Sequence, residues 1–274
     1  MSSLTYRNVQ NLCSQVDLSL DMPEIDLSQY TFLEPYALIY LGMFLRHHNQ
    51  QGTYFTVVYP DSPKAYEYLT RQNFWNRYNF NTDTTVNRDM LRFYEQTSLN
   101  DIIDLVDREG EADNVSQRVE SILQSKAVRV NIGEITVAVA ELVQNFVEHA
   151  ERGLAALMVQ RYPNKKNLRL AIGDCGTGIK ESLCSSGAYP ELAHVSHKEA
   201  IVKAFEMKVT RKHEGGMGFY CIYDIIKKLE AELFLSSGNG CVYIDNHGKL
   251  YMMDAPYDLP GVQVEMCFPM GIKQ

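Results

Sequence analysis

The apolar residues of the second half of the chain follow two different periods. Ile135, Val139, Leu142, Val143, Phe146 and Val147 recur at helical spacing and predict a helix from Gly133 to about Glu151, ended by Gly153. A shorter helix is predicted before it, from about Asn114 to Ser125. Ala155–Arg161 and Leu168–Ile172 are strand-like runs on either side of Pro163-Asn164, which predicts a hairpin. A further helix is expected from Gly218 to Leu229. From Glu232 to Phe268 the pattern predicts several short strands, with turns at Gly238-Asn-Gly240 and Asn246-His-Gly248.

The first half alternates strand and helix signals. Residues 23–32 read as an extended run, and a helix from Pro35 to about Asn49 follows, with Pro35 suited to a first helical turn. Gly52 breaks the chain before the β-branched and aromatic strand Tyr54–Tyr59. Asp61-Ser62-Pro63 opens another helix, through about Gln72. Asn79 to Asn87 is polar and reads as a loop, and Met90–Tyr94 as a closing strand. The charged break at Arg108–Asn114 is the expected boundary between a domain of residues 1–108 and one of residues 109–274. This order of elements predicts an α/β chain of α+β sandwich type.

Composition narrows the class. Of 274 residues 45% are hydrophobic, enough for sizeable cores. The net charge of −8 argues against a broad nucleic-acid-binding face. The six cysteines form no C-x-x-C pair, so they read as thiols of a reducing compartment and not as a zinc site. The start, Met1-Ser-Ser-Leu-Thr-Tyr-Arg, lacks the pattern of a signal peptide. The most apolar stretch, Tyr36–Leu45, falls well short of the roughly 20 residues of a membrane span. A cytoplasmic protein with no membrane contact is expected.

Three runs carry candidate chemistry. Glu141, Asn145 and His149 lie four apart and share one stripe of the predicted helix. A carboxylate there can deprotonate a water or a hydroxyl, and an amide oxygen suits Mg²⁺. A solvated helix face accounts for the stripe equally well when it is taken alone. Asp174-Cys-Gly176-Thr-Gly178-Ile179 follows a strand, where an acid can accept the amino hydrogens of adenine and glycines allow close approach; a capped tight turn reads the same way. Gly215-Gly216-Met217-Gly218-Phe219 opens a helix, whose free N–H groups favour phosphate. No P-loop motif is present. Neither glycine turn completes G-x-G-x-x-G, because the sixth places are Glu181 and Cys221.

Together and in this order, the three runs resemble the N, G1 and G2 boxes of the GHKL, or Bergerat-fold, ATPases. The resemblance covers about Asp113 to the C-terminus. It implies a mixed sheet covered by helices on one face. It implies that Asn145 ligates Mg²⁺, that Glu141 acts as general base and holds the metal through water, and that His149 completes the first box. By the same resemblance Asp174 reads adenine, Gly176 and Gly178 shape the pocket floor, Gly216 and Gly218 bring backbone N–H groups to the phosphates, and Ile179, Met217 and Phe219 belong to the nucleotide-binding boxes. ATP and Mg²⁺ are the implied cofactors. Residues 180–214 correspond to a mobile lid in which Arg211 and Lys212 can touch a phosphate. His197, in Ser196-His197-Lys-Glu, is read as a lid surface residue and not as a phospho-acceptor.

His149 and the Gly-Met-Gly-Phe run look closer to the anti-sigma-factor serine kinases than to the histidine kinases. The runs at 25–41 and 52–59 are similar to a STAS domain, although Leu33-Glu34-Pro35-Tyr36 stands where regulated members carry a phosphorylatable serine. The implied function is a Mg²⁺-dependent, nucleotide-gated ATPase of bacterial type, acting on an unidentified protein partner. A protein serine/threonine kinase and a non-catalytic ATP-binding module are the alternatives. A homodimer is also left open.

Overall fold

The computed structural model describes residues 2–78, 102–105, 111–125, 130–149, 155–185, 187, 189–206 and 218–271, without the side chains of 102–105, 111, 125 and 147–149. The expected loop at Asn79–Asn87 and the strand Met90–Tyr94 lie outside the described residues; so do 108–110 of the expected break at Arg108–Asn114, whereas Glu111 to Asn114 form the first turn of a helix and not a break.

The architecture is α+β, built on one five-stranded sheet. In chain order its strands are β5 (Ile102–Leu105), β6 (Ala155–Tyr162), β7 (Asn167–Asp174), β8 (Glu232–Ile244) and β9 (Leu250–Pro269). They lie in the order β5-β6-β7-β9-β8. Before them come β1 (Ser2–Leu4), β2 (Glu24–Asp26), β3 (Tyr30–Leu33) and β4 (Thr56–Val58). These pair in parallel as β1 with β3 and β2 with β4.

Side-chain alternation sorts the large sheet into two faces. Leu157, Leu170, Ile172, Val264 and Leu235 belong to one core, shared with helices α5 (Glu111–Ser125), α6 (Ile132–His149) and α9 (Gly218–Lys228). Ala156, Met158, Ala171 and Phe234 belong to the other core, built around α2 (Pro35–Gln50). The apolar stretch of α2 is buried all round, from Pro35 to Leu45, so it is a core helix under the sheet. Among the described residues no helix is long and apolar enough to cross a membrane. The remaining helices of the N-terminal layer are α1 (Val9–Ser14), α3 (Pro63–Arg71) and α4 (Phe74–Arg77). Ser62 caps α3 by accepting from the backbone of Ala65.

The α2 layer meets the sheet through a buried ionic cluster as well as apolar contacts. Arg169 of β7 donates to Glu34 at 2.5 Å and to Glu265 of β9 at 2.7 Å. Glu265 also accepts from the backbone of Tyr36. Glu34, the residue before α2, therefore spends its side chain on Arg169 and leaves the helix without a side-chain cap.

Four finer expectations are corrected within the α+β class. The large sheet is antiparallel at every described pairing, not mixed. Both of its faces are covered, because α2 fills the second. The stretch from Glu232 to Pro269 forms two long strands, not several short ones. Asn246-His-Gly248 is their turn, where Asp245 accepts from the backbone of His247 and Lys249. Gly238-Asn-Gly240 is not a turn but lies within β8, with Gly238 at φ +60°; the register shifts on both sides of it, the extra residues lying on β9 between Asp254 and Gln263. Fourth, part of the expected lid is packed structure. Helices α7 (Ile179–Ser185) and α8 (His197–Ala204) are folded, and α8 starts against Gly238 and Gly240 of β8. A Cβ at Gly238 would stand 2.1 Å from His197 Nδ1. His197 is thus packed beside β8, with Nδ1 buried and without a hydrogen-bond partner.

Candidate functional site

The apolar stripe of α6 turns toward the sheet and carries Asn145 with it. Leu142 and Phe146, its neighbours on the stripe, pack into the core while Asn145 is only half-buried. Across from them β7 ends at Asp174, and the chain turns sharply through Gly178, at φ +82°, into α7. Gly178 is required there, since its positive φ disfavours other residues and a Cβ would press on Ser237 Oγ at 3.1 Å. The same Ser237 hydroxyl accepts from the backbone of Ile179 at 3.0 Å and donates to the carbonyl of Gly261 at 2.8 Å.

These elements enclose a cavity with about 810 Å³ of space, counting the part open to solvent. Leu142, Asn145, Phe146, Asp174, Gly178, Ile179, Gly218 and Phe219 line it, with Ile172, Ser182, Leu183, Ala204, Val262 and Val264. The walls are mainly apolar and the polar groups few, which is the usual make-up of a small-molecule site. Asp174 carries the one carboxylate among these lining residues.

Asp174 is held from two sides. Its Oδ1 accepts from the backbone of Gly176 at 2.7 Å. Its carbonyl lies against Gly261, where a Cβ would come within 2.2 Å of that oxygen. Burial pushes the carboxyl up to about 6, and hydrogen bonds from the backbone N–H groups of Gly176 and Val262 oppose the rise. The group is therefore mainly ionised at neutral pH and has hydrogen-bonding capacity left for a ligand.

Asn145 Nδ2 is buried against the cavity with no hydrogen-bond partner in the structure. A half-turn of the amide exchanges its nitrogen and oxygen, so the same group can offer a carbonyl oxygen to a cation. Among the described residues no three His, Cys, Asp or Glu side chains converge to hold a metal by themselves. The donor set fits Mg²⁺, which takes few protein groups and keeps water and phosphate oxygens, better than a metal caged by protein.

The other site residues expected from sequence fall as follows. Gly176 supports Asp174 from outside the cavity wall. Glu141 sits one turn before Asn145 on α6, half-buried and off the wall, close enough to α9 to act electrostatically on Cys221. His149 closes α6 at a position whose side chain is not described. Arg211, Lys212, Gly216 and Met217 lie outside the described residues. Sequence reasoning missed Gly261, although Pro260-Gly261 is a turn signal within the last strand. It also missed Ser237 and the apolar wall, whose residues carry no local signal.

No family model matches the chain, and no curated protein does. Among solved structures the chain is similar to a mycobacterial sensor histidine kinase, MprB, at 15% identity, over 62% of this chain and 97% of that one, with a TM-score of 0.35.

Proposed function

We propose that the protein binds ATP with Mg²⁺ in the cavity at Asp174 and acts as a nucleotide-gated regulator of a protein partner, in the manner of GHKL ATPases. One observation carries this reading. Residues from three separate sequence runs, Asn145, Asp174 with Gly178, and Gly218 with Phe219, line one cavity. No single run required that convergence.

In this reading Asp174 accepts the adenine amino group, and the apolar walls sandwich the ring and exclude water. Gly218 opens α9, whose first N–H groups face the phosphate end. Mg²⁺ supplies charge neutralisation of the phosphates, with Asn145 as its protein ligand. Glu141, one turn away, is assigned to take a proton from the attacking hydroxyl or water.

The test is calorimetric titration of the protein with ATP, with and without Mg²⁺, beside Asp174→Asn. Saturable binding that needs Asp174 supports the reading. Equal binding by the variant, or none by the native chain, would defeat it. Labelled ATP then tells the two outputs apart: free phosphate means that Glu141 serves water, labelled protein that it serves a partner's hydroxyl.

A further inference from the structure

A run of buried hydrogen bonds connects the N-terminal layer to Asp174 from behind the cavity. Gln10 Nε2 of α1 donates to the Tyr36 hydroxyl at 3.5 Å. The Tyr36 and Ser236 hydroxyls are 2.7 Å apart. Ser236 Oγ donates to Gln263 Oε1 at 2.9 Å. Gln263 Nε2 donates in turn to the backbone carbonyls of Asp174, at 3.0 Å, and Pro260, at 3.1 Å.

The direction of donation follows from these bonds. The Ser236 hydrogen is committed to Gln263, so the Tyr36 hydrogen must point to Ser236, and the Tyr36 oxygen is left to accept from Gln10. Every bond from Gln10 to Asp174 donates the same way, and bonds aligned like this polarise one another. Gln10, Tyr36, Ser236 and Gln263 are all buried, Gln263 completely. Water cannot easily replace a lost partner there.

Gln263 occupies the pivotal place. On β9 it pairs with Gly173 of β7 and with Ser236 of β8. Its neighbours Val262 and Val264 line the cavity, while its own side chain runs along the opposite face toward α2. The segment Pro260–Gln263 thereby cradles Asp174: Gly261 lies on the carbonyl, the backbone of Val262 meets the carboxylate and Gln263 bonds the carbonyl. At the far end, Gln10 lines a second cavity walled by Tyr6, Phe234 and Tyr243.

We propose that Gln263 is a positioning residue for Asp174, and that Tyr36 and Ser236 make its setting depend on the N-terminal layer. The layer around α1 and α2 thereby tunes how Asp174 is presented to the nucleotide. This inference rests on the reading of the cavity as a nucleotide site, and it uses residues that face away from that cavity.

The decisive variant is Tyr36→Phe, which removes one hydroxyl and keeps the ring in the core; Gln263→Leu is its companion. Two measurements are made on the full chain. The first is the amide proton resonance of Cys175, whose peptide group contains the Asp174 carbonyl. The second is affinity for Mg²⁺-ATP and for Mg²⁺-GTP. Tyr36→Phe is expected to move the Cys175 resonance, to weaken ATP binding by roughly 2- to 30-fold, the range found for networked positions, and to narrow the preference for ATP over GTP. Adding it to Gln263→Leu should change little more, because the two act in series through Ser236 along one chain of bonds. A folded Tyr36→Phe with an unmoved Cys175 resonance and unchanged affinities overturns the proposal. So does a lower melting temperature with unchanged nucleotide preference, which would mark a purely structural chain. If the native chain binds neither nucleotide, the nucleotide reading fails by itself, and the Cys175 resonance still decides whether the chain positions Asp174.

Discussion

Ile39 of α2 lies so close to Gly173 of β7 that a Cβ added at Gly173 would come within 2.7 Å of its Cγ2. Met43 closes the same spot, at 3.3 Å. The N-terminal layer therefore rests directly behind Asp174. Gly173→Ala forces helix and strand apart and should cost about 1–3 kcal/mol, the usual penalty of an overpacked core. Urea unfolding measures it. Ile39→Ala in the same chain should recover part of the loss by making room, and failure to do so would mean that the strain lies elsewhere.

The Asp174 carboxyl is raised to about 6 from an ordinary 3.8. Between those values the folded chain holds a proton that the unfolded chain has released, so stability falls as pH rises through that window. Asp174→Asn should flatten this part of the profile in thermal melts at pH 4 to 7. On the proposed reading nucleotide affinity has the opposite slope, since an amino group needs the ionised acceptor. ATP affinity should climb toward pH 7 and then level off. An affinity that stays flat from pH 5 to 7 would remove Asp174 from the role of acceptor.

Glu141 stands off the cavity wall, unlike Asn145. Glu141→Gln should leave ATP affinity within about threefold, because a group that acts mainly in the transition state contributes little to ground-state binding. Turnover should drop by about 10²–10⁴, the usual contribution of a general base. Steady-state phosphate release reads it, and turnover at the native rate would sink the assignment.

The ionic cluster at Glu34, Arg169 and Glu265 is the polar seam between α2 and the sheet. Burial pushes Glu265 up to about 7, and Arg169 opposes the rise. The sign is that of Asp174: stability falls as pH rises from the ordinary carboxylate range through 7. Glu265→Gln should flatten that part of the curve. Arg169→Met leaves two buried carboxylates short of their cation and should cost about 3–5 kcal/mol at pH 8, and less at pH 5, where Glu265 is protonated. Denaturant midpoints at the two pH values test both statements.

Much of this arrangement could be read from the chain. The apolar spacing of 135–147 predicts a helix over Gly133–Glu151, and α6 covers Ile132–His149. Asp174 stands at a strand end as expected, because a strand that stops at an acid and two glycines has few other ways to turn. Pro35 opens α2 for an equally local reason. The STAS-like reading of residues 1–108 rests on sequence runs alone. Helices α7 and α8 were not predicted, although Ser196 and Glu199 form the capping box that opens α8, a signal local to the Ser196-His197-Lys-Glu run. Both helices are short, and what the sequence did not show is that His197 packs on β8.

The sequence by itself determined periods and punctuation: which residues share a helix face, where a strand must turn, and that Glu141 and Asn145 lie one turn apart. These are short-range properties, governed by backbone sterics and a repeat of two or 3.6 residues. Only the tertiary structure decided what covers each face of the sheet, that Gly238 and Gly240 make room for α8, and that Gln263 meets Asp174 from behind. Those outcomes depend on strands and helices distant in sequence arriving side by side. Alternation marks a face as buried, but it does not specify the partner that buries it.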